Sequence, residues 1–205
     1  MIERGVITIE TKNTIKVLLQ NSSSGVITAK QVTESGIHRS ILKNLVDEGL
    51  LYRFGRGIYI RSDVWEDEFY LLQCKYKRGI YSHDIALYLL GYSDRTPAKY
   101  TMTFPKGYNT PSLKKENIII KRVIEENYSF GITEIKTPSG NPVKIYDLER
   151  TLCDIVRGSG SDIQIVNEAM KRYATSKEKD IHKLMKCAEQ LRVKPKILHY
   201  MEVLL

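Results

Sequence analysis

The sequence predicts an α+β chain: an N-terminal winged helix-turn-helix, then a larger α+β domain with short strands followed by a helical C-terminus. Two observations predict it. Over the first sixty residues, apolar positions recur at helical spacing through three short segments, then switch to the pattern of a two-stranded hairpin. Beyond Pro97, short β-branched runs broken by Pro and Gly give way to a succession of helical stretches, the order expected of an α+β domain.

The elements follow in order. Glu10 to Gln20 reads as a helix with Ile15, Leu18 and Leu19 on one face, ended by the turn residues Asn21-Ser22-Ser23-Ser24-Gly25. Thr28-Ala29-Lys30-Gln31 has the capping-box pattern, a hydroxyl at the cap and an amide three residues on. It opens a short helix that Ser35-Gly36 stops. A third helix is expected from Ile37 to Glu48, with Ile37, Ile41, Leu42 and Leu45 facing inward and Gly49 as its terminator. Leu50–Phe54 and Ile58–Arg61 then flank Gly55-Arg56-Gly57 as a hairpin. Three helices and a hairpin in this order make a winged helix-turn-helix over residues 1–62.

The chemistry lies in the face left over. With the apolar positions buried, the third helix presents His38, Arg39, Ser40, Lys43 and Asn44, residue types that donate to base edges and phosphates in the major groove. Arg39 and Lys43, four apart, are expected to point the same way. Arg53, Arg56 and Arg61 belong to the wing, where Arg rests on phosphates or enters the minor groove. The competing readings are a solvated helix face and solubilising charge on an edge hairpin. Tyr52, Phe54 and Tyr59 could form a base-stacking platform, but their spacing in the hairpin fits packing against the helices better.

Residues 63–205 form the expected C-terminal domain, with a connecting helix over about 63–78 carrying Trp65, Phe69, Leu72 and Tyr76. Ser82-His83-Asp84 opens the apolar helix Ile85–Leu90. Adjacent residues at a helix start point in different directions, so N-capping explains them better than a catalytic triad does. Lys99–Phe104, Ile118–Val123, Gly131–Ile135 and Val143–Ile145 read as strands, and helices are expected at Asp147–Arg157, Ile163–Tyr173, Ile181–Leu191 and Ile197–Leu204. No acid/base cluster, phosphate-binding glycine loop or metal-ligand spacing emerges, so neither catalysis, a cofactor nor a metal is expected. Cys153, in an apolar stretch, reads as a buried small hydrophobe. Lys171, Arg172, Lys177, Lys179, Lys183 and Lys186 make the helical end basic; the default is a solvated face, and a secondary phosphate contact is the functional reading.

Composition agrees with a phosphate-rich partner. The 205 residues carry 32 Lys plus Arg against 24 Asp plus Glu, a formal charge of +8, with 42% hydrophobic residues for a core. No apolar run approaches the ~20 residues of a membrane span, and the opening Met-Ile-Glu-Arg-Gly lacks the pattern of a signal peptide. Three widely spaced cysteines do not make a disulfide framework, so a reducing cytoplasm is expected.

These pieces together resemble the AbiEi-type antitoxins of bacterial abortive-infection systems. The likeness is carried by the N-terminal winged helix, by Gly79-Ile80-Tyr81-Ser82-His83-Asp84-Ile85-Ala86-Leu87-Tyr88, and most specifically by Val143-Lys144-Ile145-Tyr146-Asp147-Leu148-Glu149-Arg150-Thr151-Leu152-Cys153-Asp154. The resemblance implies an antitoxin and transcriptional autorepressor with a role in phage defence. Its winged helix would bind double-stranded DNA at inverted repeats in its own promoter. Its C-terminal domain would oppose a co-expressed nucleotidyltransferase-like toxin, without a stable complex being implied. The alternative is a ligand-responsive winged-helix regulator with no toxin partner; an enzyme acting on nucleic acid has the least support.

Overall fold

A computed structural model describes residues 15, 17, 19, 24–109, 117–158 and 161–204. They fall into two compact units, one running to Lys77 and including Lys136–Val143, the other comprising Arg78–Ile135 and Lys144–Leu205.

In the first unit Ile15, Val17 and Leu19 are helical, with Ile15 buried and Leu19 half-buried; Leu18 and the rest of the expected first helix lie outside the described residues. A strand that the sequence reading did not anticipate follows, β1 (Val26–Thr28). Then come α1 (Ala29–Glu34), α2 (Ile41–Asp47), β2 (Leu51–Gly55), β3 (Ile58–Arg61) and α3 (Glu68–Lys75). The capping box forms as expected: Gln31 N–H donates to Thr28 Oγ1 (3.2 Å) and Thr28 N–H to Gln31 Oε1 (2.8 Å). The three strands make an antiparallel sheet in the order β1-β3-β2, with Val26 opposite Ile60 and Leu51 opposite Arg61.

Both faces of this small sheet are apolar, and strand alternation assigns them. Ile27 and Leu51 join Ile15, Val32, Ile41, Leu42 and Leu45 in one cluster, with Tyr59 packed against it. Val26, Ile58 and Ile60 turn the other way, onto Leu71 of α3, with Tyr52 and Phe54 alongside. All three aromatic side chains of the hairpin therefore pack in the core. The apolar back of the sheet also explains why α3 belongs to the first unit.

Two expected helices start later than their spacing indicates. α3 begins after Asp67, whose carboxylate accepts from Tyr70 N–H (3.2 Å), and this cap leaves Trp65 ahead of the helix and 97% exposed. α2 begins at Ile41 rather than Ile37. Gly36, at φ +75°, turns the chain, and the amides of Ile41, Leu42 and Lys43 bond back to His38, Arg39 and Ser40 in tight i→i+3 fashion.

The second unit carries β4 (Ile80–Tyr81), α4 (His83–Leu89), β5 (Tyr100–Pro105), β6 (Ile118–Val123), α5 (Glu125–Ser129) and most of β7 (Ile132–Lys136) and β8 (Pro142–Tyr146), whose residues Lys136 and Pro142–Val143 are counted with the first. Four helices follow, α6 (Leu148–Val156), α7 (Ile163–Thr175), α8 (Ile181–Gln190) and α9 (Lys194–Leu204). The sheet order is β6-β5-β4-β8-β7, with β5–β6 and β4–β8 parallel and β4–β5 antiparallel. α6 lies at the centre of the helical layer. Asp147 caps it through Arg150 N–H (2.9 Å), and every residue from Glu149 to Val156 is buried. Leu152, Cys153 and Ile155 share one core with Leu87, Met170, Tyr173, Leu184 and Cys187.

Candidate nucleic-acid interface

The turn into α2 and the hairpin bring the sequence-predicted residues into two groups. Ile41, Leu42 and Leu45 hold α2 against the sheet, leaving Lys43 exposed and Asn44 half-buried on the outer side. His38, Arg39 and Ser40 are exposed, but they stand in the turn before the helix rather than along its face. Arg39 thus stands ahead of α2 while Lys43 lies on it, so the two are not both residues of one α-helix as the spacing predicts. Ser40 aims its hydroxyl (2.8 Å) and its backbone N–H (3.3 Å) at His38 Nδ1, which pins the turn. In helix-turn-helix proteins this N-terminal approach to the second helix is the part that meets base edges.

On the wing, Arg53 and Arg56 are exposed, and Gly57 at φ +73° closes the turn beside Arg56. Arg53 Nε donates to the Gly55 carbonyl (3.3 Å). Arg61 differs: its Nε is 2.8 Å from Asp63 Oδ1, and the pairing holds the Asp63 carboxyl below its ordinary range. Among the described residues, Arg39, Lys43, Arg53 and Arg56 thus carry uncompensated charge on a helix–strand–helix–helix–hairpin scaffold, the element order of a winged helix-turn-helix.

Residues 17–62 match the family described as transcriptional regulator, AbiEi antitoxin. The match runs from the first helix to the end of the wing, and it agrees with the N-terminal part of the resemblance read from the sequence. No curated protein matches the chain. Among solved structures, the RV2827C protein from Mycobacterium tuberculosis has a similar fold: TM-score 0.59, 14% identity, 94% of this chain and 81% of that chain covered. No described helix is long and apolar enough to cross a membrane.

Outside the matched segment, the second basic group is less uniform than its sequence looks. Lys171, Lys177 and Lys186 are exposed. Arg172 is held by Asp94, by Glu168 (3.4 Å) and by the Gly91 carbonyl (3.0 Å). Lys179 Nζ donates to the Ser176 carbonyl (3.3 Å). Lys183 Nζ sits between Glu149 Oε2 (2.9 Å) and Asp147 Oδ2 (3.2 Å), tying α8 to the start of α6. Arg172, Lys179 and Lys183 hold local structure in this geometry, and only the other three face solvent unengaged among the described residues.

Ser82, His83 and Asp84 depart from simple capping. Ser82 occupies the cap position of α4, yet its side chain makes no cap bond; its hydroxyl accepts from Thr103 Oγ1 (2.8 Å) and lies 3.0 Å from His83 Nδ1. Asp84 accepts from the Ser161 hydroxyl. The Ser–His contact was invisible to a reading based on helix direction, because His83 adopts a left-handed φ of +55°. Ser82 is 0% exposed, so its hydroxyl has no open path to a substrate. Among the described residues no group of three or more His, Cys, Asp or Glu is placed to hold a metal. Burial pushes Cys153 well above the ordinary thiol range, as suits a packed, unreactive thiol.

Burial, with Lys121 nearby, lowers His83 from 6.5 to about 4; Asp84 opposes the shift while Arg150 and Arg157 add to it. The folded chain therefore binds fewer protons than the unfolded chain between these values, and stability must fall as pH drops through that window. The expected loss from pH 7 to pH 4 attributable to His83 is at most about 3 kcal/mol. His83→Asn, which tolerates the left-handed backbone, should flatten the profile in urea titrations followed across that range. An unchanged profile would assign the acid sensitivity elsewhere.

Proposed function

We propose that the chain is an antitoxin and transcriptional autorepressor. Residues 1–62 bind inverted repeats in its own promoter, and residues 63–205 counteract a co-expressed nucleotidyltransferase-like toxin in the cytoplasm, with no stable complex implied. The observation that carries the DNA half is the exposed, unpaired set Arg39, Lys43, Arg53 and Arg56 on a winged-helix scaffold that matches an AbiEi antitoxin family of transcriptional regulators. His38, Ser40, Asn44 and Arg61 complete the proposed surface, Arg61 after release from Asp63. One winged helix reads one half-site, so an inverted repeat takes two copies. The toxin-opposing half rests on the family match and on the Val143–Asp154 resemblance.

A gel-shift titration on promoter DNA tests this reading. Arg39→Ala and Lys43→Ala are each expected to weaken retention by about tenfold or more, and wild-type affinity should fall steeply with salt. The same full-length variants should still rescue growth when the neighbouring toxin is co-expressed, because the second unit is untouched. Unchanged affinity in both variants removes the recognition assignment, and failure of the wild-type chain to rescue growth removes the antitoxin assignment.

A further inference from the structure

The second unit contains a cavity of about 780 Å³ that the DNA-binding reading does not use. Lys106, Arg122, Arg157 and Arg192 converge on it from four separate parts of the chain, against the carboxylates of Glu126 and Glu189. Glu189 is already within 3.7 Å of Lys194 Nζ. Lys106, Arg157 and Arg192 make no direct ion pair among the described residues, and the four cationic side chains outnumber the two carboxylates of the lining, so the cavity is net positive.

The floor is polar and fixed. Asn127 is 7% exposed, and its backbone carbonyl accepts from the buried Arg150 Nη1 at 2.6 Å. Its side-chain Oδ1 accepts from Gln190 Nε2 (3.1 Å), which leaves the Asn127 amide as a donor and the Gln190 carbonyl as an acceptor. Side-chain amides in this arrangement match the donor–acceptor edge of a nucleobase, and Ile124, 50% exposed on the lining, offers an apolar face beside them. A volume within the ~300–1,000 Å³ of small-ligand sites, basic groups for phosphate and an amide pair for a base edge together describe a nucleotide-sized site.

Arg192 adds an independent observation. It follows the cap Leu191 of α8 at φ +59°, where Val193 N–H bonds back to the Ala188 carbonyl. This is the position helices usually give to glycine, because a side chain there is strained. A guanidinium kept at a strained position and lining a cavity points to use rather than to folding.

We propose that this cavity binds a nucleoside phosphate, with Arg192, Arg157 and Lys106 on the phosphates and the Asn127–Gln190 pair on the base. Calorimetric titration of the full-length protein with ATP, and separately with inorganic phosphate, tests the assignment. ATP is expected to bind saturably and more tightly than phosphate alone. Arg192→Gly should weaken ATP binding about tenfold or more while keeping or raising the melting temperature, because glycine relieves the strained backbone. Lys106→Gln should weaken it in the same direction. Promoter retention by Arg192→Gly should stay at the wild-type level, which separates this site from the winged helix. Absence of saturable ATP binding, equal binding of ATP and phosphate, unchanged binding in both variants, or loss of promoter retention in Arg192→Gly would each overturn the proposal.

Discussion

Arg150→Met is expected to destabilise the fold by about 3–5 kcal/mol, the usual consequence of removing one partner of a buried ion pair. The side chain is 0% exposed at the heart of the second unit. Its Nε donates to Asp154 Oδ2 (3.0 Å), its Nη1 to the carbonyls of Asn127 (2.6 Å) and Phe130 (3.0 Å), and its guanidinium lies 4.2 Å from the centre of the Tyr146 ring. Methionine fills similar space but leaves Asp154, 3% exposed, without its hydrogen-bonded ion-pair partner and frees two carbonyls. Burial already pushes the Asp154 carboxyl upward, and Arg150 is the chief influence pulling it back. Equilibrium urea unfolding measures the loss. The double variant Arg150→Met/Asp154→Leu should recover a substantial part of it, since an apolar pair avoids the buried charge. A single-variant loss under about 1 kcal/mol would show that the pair is dispensable.

Gly25→Ala is expected to cost about 2–4 kcal/mol in the first unit, combining backbone strain with overpacking. Gly25 has φ +65°, and a Cβ there would stand 2.6 Å from Val64 Cγ2 and 3.0 Å from Cγ1. The Gly25 carbonyl also accepts from Arg61 N–H (3.0 Å), so the backbone cannot simply swing away. Two further variants separate the contributions. Gly36→Ala has φ +75° with nothing within 4 Å of its new methyl, and should show the strain alone, about 1–2 kcal/mol. Val64→Ala in the Gly25→Ala background should return the overpacking share and leave the strain. Equal losses for Gly25→Ala and Gly36→Ala would mean that Val64 yields freely.

What the sequence revealed was chiefly what is local. The Thr28–Gln31 capping box and the hairpin turn at Gly55-Arg56-Gly57 each depend on residues within a few positions of one another, and each is present. β1 escaped notice because Val26–Thr28 is a strand only through Ile58–Ile60, far along the chain. The two-residue β4 depends in the same way on β5 and β8. Periodicity placed Ile37 and Trp65 on helices, but a glycine turn and an aspartate cap delayed both starts. In α6 polar Glu149, Arg150 and Asp154 are buried along with the apolar residues. Glu149 lies against Lys183 of α8, Arg150 against the Asn127 and Phe130 carbonyls, and Asp154 against Arg150 itself; the partners of the first two lie far along the chain. The basic cavity was the least legible feature, since Lys106, Arg122, Arg157 and Arg192 are scattered in the chain and meet only in space.

Asp67 has a consequence for the order in which this protein can mature. Its carboxylate caps α3 and also accepts from the Thr137 hydroxyl and from Asn141 Nδ2 (2.8 Å), donors that lie seventy or more positions downstream. A nascent chain that has just released Lys77 therefore holds an aspartate whose place in the finished unit is 7% exposed, without two of the groups that satisfy it there. The N-terminal unit is closed only after the ribosome has delivered Val143. Its completion thus waits on synthesis of about half of the second unit, and the winged-helix unit reaches its final form only when the rest of the chain is well under way.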